Sequence, residues 1–417
     1  MKRRMVALAC ASALVLAACG TKGGGSEEGA EGAGGVKAGV GVTDTEITLG
    51  VMTDQTGPFK NLSTGITHGN ELWVKDFNAA GGVCGRKVKL EIVDHGYKAD
   101  TAKTLYPQIE PKVLGFVQVV GSPIMAALGG DLEADQVTTT PASWSSELLG
   151  NPYVMIVGTT YDVEMIDGLS YLQEEGMIKD GDTIGHIYID GEYGANGLRG
   201  SKAYAKEHNL KLREVKITSS DNDLTNIITG FKGQGVKAIA LTTTPTQTGS
   251  AAAAAKALGL NVPILGNNPT FDPLLHESPA AGALDNLYVV ASSVPVAADI
   301  PKAKEVARKY KEAGFTEPPN AGVPYGYAVA EVWGTVLQKA CENKDLTREG
   351  IHKALQETTS AETGDLVAPL DFSKPGAPAT RQVYVAKPDA SVEGGMDYVK
   401  PLFEAEEAKA YKAPHEE

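Results

Sequence analysis

Lys98–Val120 (KADTAKTLYPQIEPKVLGFVQVV) and Asp221–Thr243 (DNDLTNIITGFKGQGVKAIALTT) align without a gap at an offset of 123 positions. Each reads as an aspartate, a helix, a turn and a strand. Asp100 and Asp223 stand where an N-cap carboxylate would accept from the free N–H groups of a first helical turn. The identities are few, so chance likeness of two βα units is the alternative to an internal repeat. Either way the chain contains two α/β units of one design.

Outward from these stretches the same alternation continues. Apolar runs rich in Val and Ile predict strands at Ile47–Met52, Val88–Val93, Phe116–Val120, Val137–Thr140, Ile184–Ile189, Leu212–Ile217, Ala238–Leu241, Val262–Leu265 and Leu287–Ala291. Helical spacing fills the intervals, as at Ser63–Asn78, Asp162–Glu175, Gly194–Glu207, Gln247–Leu258 and Lys302–Ala313. The fold class expected is α/β, with parallel sheets covered by helices on both faces.

In doubly wound sheets, ligands bind beyond the carboxyl ends of the strands. The loops that follow the predicted strands are Thr53–Phe59, Gly121–Pro123, Pro141–Ser146, Asp190–Gly194, Thr242–Thr246 and Gly266–Phe271. They are dense in hydroxyls, amides, glycine and aromatic rings, and hold no strong catalytic group, which describes a recognition cleft. Walker, H-E-x-x-H, C-x-x-C and G-x-S-x-G motifs are absent from the sequence, and the seven histidines are scattered. No enzyme activity, metal or cofactor is therefore expected. Gly191, Gly194 and Gly197 read as an ordinary tight turn, and His68 and Glu71 as a chance helical spacing. His95 beside Asp94 reads as an exposed loop pair, a pH-sensitive contact being the alternative.

Of 417 residues, 42% are hydrophobic and 22% charged, enough for two lobes each with its own core. The net charge of −14 disfavours nucleic acid and anionic lipid surfaces. The Gly-rich stretch Gly20–Gly41 has almost no large apolar residue and reads as a flexible tether of roughly 25 Å. Before it, Lys2, Arg3 and Arg4 precede an apolar run from Met5 to Ala18, too short to span a bilayer. Its end, Leu16-Ala17-Ala18-Cys19, resembles the lipobox of bacterial lipoprotein precursors. That resemblance implies a signal peptide over 1–18, lipid on Cys19 and a soluble domain tethered outside the cytoplasmic membrane; an ordinary signal cut near Ala18 is the alternative.

Taken in order, Thr56-Gly57-Pro58, Phe77-Asn78-Ala79-Ala80-Gly81-Gly82-Val83, Gly85-Arg86, Gly121-Ser122, Pro141, Tyr193-Gly194, Ala257-Leu258-Gly259-Leu260 and Tyr325–Ala330 resemble the leucine/isoleucine/valine-binding family of type I periplasmic receptors. The resemblance implies two doubly wound lobes, 45–158 plus 293–367 and 159–292 plus 368–417, after a linker over 19–44. Three hinge segments would join them near Val157–Thr159, Ser292–Val294 and Leu366–Pro369. It implies a monomer that captures a small organic solute and hands it to the permease and ATPase of an importer. A membrane-tethered sensor using the same cleft is the alternative, and a secreted enzyme the lesser one.

Carried over residue by residue, the family places ligand contacts at Ser122, Ser143, Trp144, Tyr193, Thr244, Asn268 and Tyr325. Ser122 and Ser143 would hold a carboxylate. Trp144 stands where amino-acid binders usually have threonine, and Asn267 and Asn268 where they have the acid that neutralises an ammonium. These departures rank aromatic or other organic acids and amides above branched-chain amino acids. Trp144 and Tyr193 would sandwich the ligand from opposite lobes; packing on the hinge side is the alternative for Trp144, and a turn before Pro269 for Asn268. With Cys10 in the signal and Cys19 lipidated, Cys84 and Cys341 remain, and the family topology puts both in one lobe. A disulfide is expected, two buried thiols being the alternative.

Overall fold

The computed structural model describes Ala30–Glu31 and residues 35–416; the signal and Cys19 lie outside the described residues. Two short strands, β1 (Ala30–Glu31) and β2 (Lys37–Ala38), open it. The first main sheet follows with β3 (Glu46–Thr53), β4 (Lys87–Asp94), β5 (Gly115–Val120) and β6 (Thr139–Ala142). These run parallel in the order β4-β3-β5-β6. The second sheet takes β7 (Thr183–Ile189), β8 (Lys211–Ile217), β9 (Ala238–Thr242), β10 (Ile264–Asn267) and β11 (Leu287–Ala291), parallel in the order β8-β7-β9-β10-β11. Both sheets thus place their first strand second and step outward from it, so the aligned stretches occupy equivalent places.

A helix precedes the third strand in each lobe. After α1 (Lys60–Ala79) comes α2 (Ala99–Ile109), which leads to β5. Beyond α3 (Ser122–Ala134), α4 (Tyr161–Glu174) and α5 (Glu192–Glu207), helix α6 (Thr225–Gly233) leads to β9. Neither aspartate is the N-cap expected of it. Lys98 precedes α2, which puts Asp100 inside the first turn, and Leu224 precedes α6, with Asp223 Oδ1 accepting from Thr225 N at 2.9 Å. Helix α7 (Pro245–Ala257) completes this side. After the second crossing, α8 (Pro301–Ala313), α9 (Gly322–Glu342) and α10 (Arg348–Gln356) return to the first lobe. Helices α1 and α9 pack closely because Gly326 lacks a side chain: a Cβ there would lie 2.0 Å from the Ile66 carbonyl.

The all-parallel expectation fails at one edge. After β12 (Asp345–Leu346), β13 (Val383–Pro388) and β14 (Met396–Phe403) add to the second sheet antiparallel, β13 beside β11. Hairpin-linked edge strands need no helical crossover, and so break the βα rhythm that betrayed the others. The tether is also shorter than expected. Val36 is buried in the first lobe's core, β2 pairs with β12, and Thr48 N donates to the Gly41 carbonyl.

Cys84, after α1, and Cys341, near the end of α9, are joined in a disulfide with Cα atoms 5.9 Å apart. The three segments expected as hinges touch one another: Thr159 N donates to Ser292 Oγ at 2.8 Å, and Val294 N to the Leu366 carbonyl at 3.0 Å.

Candidate ligand-binding cleft

Carboxyl ends of strands from both sheets converge on a narrow cavity, about 340 Å³ of space between atoms that is partly open to solvent. From the first lobe come Phe59, Tyr97, Gly121-Ser122 and Trp144; from the other side come Tyr161, Tyr193 and Pro269. Among the described residues, no lysine, arginine, aspartate or glutamate lines it.

Two aspartates shape the loops that carry the first of these rings. At the end of β3, buried Asp54 accepts from the N–H groups of Gly57 and Phe59, at 2.5 and 3.0 Å, and so turns the Phe59 ring inward. Asp94, ending β4, accepts from Gln55 N at 2.9 Å and Gly96 N at 2.8 Å, which tie the neighbouring loop to it. Tyr97 then adopts a left-handed backbone with φ of +58°, unusual for a tyrosine, and its ring lies 4.9 Å from that of Phe59. His95 secures this turn. It is buried rather than exposed: Nδ1 accepts from Tyr97 N at 3.0 Å, so Nε2 carries the proton and donates to the Met52 carbonyl at 3.2 Å. Burial holds its pKa below the usual imidazole value, against the pull of the Met52 carbonyl and of Asp54 and Asp94.

Ser122 and Ser143 form the polar end of the cavity. Ser122 opens α3 and lines the cavity, and Ser143 stands behind it with the two Oγ atoms 2.6 Å apart. Gly121 before them has φ of +105°, and a Cβ there would lie 2.5 Å from the Tyr97 ring. Within α3 the N–H groups of Ile124 and Met125 bond to the Gly121 carbonyl and Pro123 has none, leaving the Ser122 N–H at the positive end of the helix dipole. Beside it, burial raises the pKa of the Tyr161 phenol well above the ordinary value. These are uncharged donors, suited to a carboxylate or a neutral oxygen.

Trp144 and Tyr193 both reach the cavity, but they do not form the two faces of a slot. Tyr161 touches both, at ring distances of 5.9 and 4.8 Å, making one continuous aromatic wall. Trp144 is 2% exposed and donates from Nε1 to the Val157 carbonyl at 3.1 Å, which ties it to the hinge side. Tyr325 packs behind it at 4.9 Å and reaches the same carbonyl through its hydroxyl at 3.3 Å. Tyr193 OH donates to Asn267 Oδ1 at 3.1 Å. Asn268 borders an adjoining cavity, and its backbone N–H points to Glu164 Oε2 at 3.3 Å. Thr244 stands apart: its hydroxyl accepts from Gln247 N in a capping box that seals α7.

Sequence reasoning missed Tyr97, Tyr161, Leu62, Pro269 and Glu164. Glu164 sits one turn into α4, wholly buried, with Oε1 unbonded. Desolvation drives its pKa well above the carboxylate range, opposed by the N–H groups of Asn268 and Ser292. No local pattern marks it; only the fold brings α4 under the loop after β10. Between α5, the loop after β6 and the start of α4, Asn196 Nδ2 donates to Ser146 Oγ at 2.6 Å, and Ser146 Oγ to Asp162 Oδ2 at 2.6 Å. Arg199 pairs with Glu147 beside them.

Two doubly wound sheets meeting at an interlobe cleft match a known family, whose description is "Periplasmic binding protein" and whose pattern spans residues 46–395. The chain belongs to the periplasmic binding protein family. Among solved members of this kind, it is similar to a fatty acid ABC transporter substrate-binding protein from Thermomonospora curvata, at 38% identity and a TM-score of 0.89, covering 92% of this chain and 99% of that one. A branched chain amino acid ABC transporter protein from Thermus thermophilus with bound valine shares the periplasmic binding protein fold at 19% identity and a TM-score of 0.77, covering 88% and 98%. The "Leu/Ile/Val-binding protein homolog 3" of Brucella melitensis biotype 1 is 22% identical over 336 residues, 78% of this chain and 89% of its own. No helix among the described residues is long and apolar enough to cross a membrane.

Proposed function

We propose that this periplasmic binding protein captures an apolar carboxylic acid of the fatty-acid class between its lobes and delivers it to an ABC importer. The observation that carries the reading is a cavity walled by aromatic and aliphatic side chains, with the hydroxyls of Ser122 and Ser143 at one end and no charged lining. An α-amino acid needs a counter-charge for its ammonium, and among the described residues no acid lines the cavity, while desolvation raises the pKa of buried Glu164 beneath Asn268 and so opposes its charge. The Thermomonospora relative supports the same class by its name.

The lobes in this reading are 45–158 plus 293–367 and 159–292 plus 368–417, and they close by bending at the three touching segments. Closure is favoured because the Tyr161 and Tyr193 wall meets the ligand only when the lobes are together. The protein works as a monomer, without metal, cofactor or catalytic step, tethered through lipid on Cys19 and engaging a permease and its ATPase. Calorimetry tests the ligand class. Octanoate should bind and leucine and valine should not, with Ser122→Ala weakening octanoate about tenfold. Tight leucine or valine binding with no octanoate binding would overturn it.

A further inference from the structure

Next to the Ser122 cavity lies a second hollow, about 640 Å³ of space between atoms that is partly open to solvent, and Leu62 and Pro269 border both. It runs between the starts of α1 and α9 and one face of the second sheet. Because side chains alternate along a strand, Val289 and Ala291 of β11 and Tyr384 and Ala386 of β13 face it together, paired in register as Val289 with Ala386 and Ala291 with Tyr384. The hollow exists because Ala291 and Ala386 are small where larger residues would close it. Phe271, Val296 and Met396 add apolar wall.

Several polar groups on this wall are already engaged. Asn320 Nδ2 donates to the Asn61 carbonyl at 2.8 Å and Oδ1 accepts from Gly322 N at 2.8 Å. Tyr384 OH donates to the Asp365 carbonyl at 2.7 Å, and Asp272 Oδ1 accepts from Leu274 N at 2.9 Å. An apolar occupant would therefore gain burial there without stranding Asn320 or Tyr384, while the Asp272 carboxyl, whose pKa burial already raises, would be pushed further toward its neutral form.

We infer that the second cavity houses the distal chain of the ligand: the acid end sits at Ser122 and Ser143, the chain passes between Leu62 and Pro269, and Ala291 and Ala386 set the longest chain accepted. This deepens the proposed function and rests on its reading of the ligand as an apolar acid. The test is calorimetry on the purified protein with unbranched saturated acids from four to twelve carbons. Affinity should climb roughly fourfold for each added methylene well beyond the shortest acids, as burial of one methylene implies. Ala386→Phe, and independently Ala291→Phe, should stop the climb early and weaken decanoate at least tenfold while leaving the shortest acid that binds unchanged, which also shows the variants are folded.

If the climb ends with the shortest acids, or both variants bind decanoate as the parent does, the chain does not enter this cavity and the inference falls while the ligand class stands. If no acid of any length binds, the ligand class falls and the inference with it.

Discussion

The helix after the third strand begins differently in the two lobes. In the first lobe, β5 runs into Gly121 and then Ser122, and no side chain caps α3. At the equivalent place, 123 residues on, β9 runs through Thr243 into Thr244, whose hydroxyl and the Gln247 amide close the start of α7 reciprocally. Both loops look alike in sequence, short and rich in hydroxyls beyond a buried strand. One spends its polar groups on its own helix; the other bonds its Ser122 hydroxyl to Ser143 outside the helix and leaves the first turn without a side-chain cap. A hydroxyl at a helix start is thus a candidate ligand contact only when nothing three residues on can claim it. The lobes also differ in bracing: a disulfide ties α9 to the loop after α1 in the first lobe, and among the described residues the second has no such link.

The bracing carries the largest expected effect. The Cys84–Cys341 link closes a span of 257 residues, and loop-closure entropy assigns such a link up to about 5 kcal/mol. Replacing both cysteines with serine should give two resolved transitions in calorimetric melting, with the first lobe unfolding earlier. A single unchanged transition would show the α1–α9 packing to be sufficient alone.

Next in size is Gly121→Ala, which attacks the open helix start. The added Cβ meets a backbone with φ of +105° and the Tyr97 ring at 2.5 Å, so the ring must move into the cavity. The strain of ~1–3 kcal/mol at such positions falls on the stability of free and bound protein alike, and the displaced ring should weaken ligand binding by more than about tenfold. Retained affinity would mean that Tyr97 does not contact the ligand.

Ser122→Ala and Thr244→Ala, made side by side, test the comparison itself. The first should weaken octanoate about tenfold with little change in melting temperature, because it removes a donor aimed into the cavity. The second should leave affinity unchanged and cost about 1 kcal/mol of stability, the usual worth of an N-cap. Reversed outcomes would place the polar end of the ligand in the second lobe.

Much of this architecture was readable because strands buried on both faces are continuous apolar runs, and all nine predicted between Ile47 and Ala291 fall within two residues of their final places at both ends. Phe59 was within reach through the Asp54 loop, and the cysteine pair through the family topology. Tyr97 was not: its role depends on a left-handed turn that His95 and Asp94 enforce from the neighbouring strand end. Glu164 reads as part of the first turn of an ordinary helix expected from Asp162, and Tyr161 as the residue before it. Their place in the cleft follows from how the hinge delivers α4 beneath Asn268, a relation between segments about 100 residues apart that carries no local signal.

The smallest expected effect separates two buried titratable groups of opposite sign, one in each half of the cleft. His95 has a pKa depressed below the ordinary 6.5, so the stability it lends is present above that value and is lost as pH falls through it. Glu164 has a pKa raised above the ordinary 4.5, so the folded state holds its proton more tightly than the unfolded chain does; stability is highest below that value and declines as pH rises toward the raised one. Melting temperature should therefore fall on both sides of a maximum. Glu164→Gln keeps the shape and the acceptor for the Asn268 N–H but cannot ionise. It should flatten the alkaline limb alone, raising the melting temperature by a few degrees at pH 8 at roughly 2–4 °C per kcal/mol, and leave the acid limb to His95. A variant that melts like the parent at every pH would show that Glu164 is solvated or paired in solution, and would return the cleft to ligands that carry an ammonium.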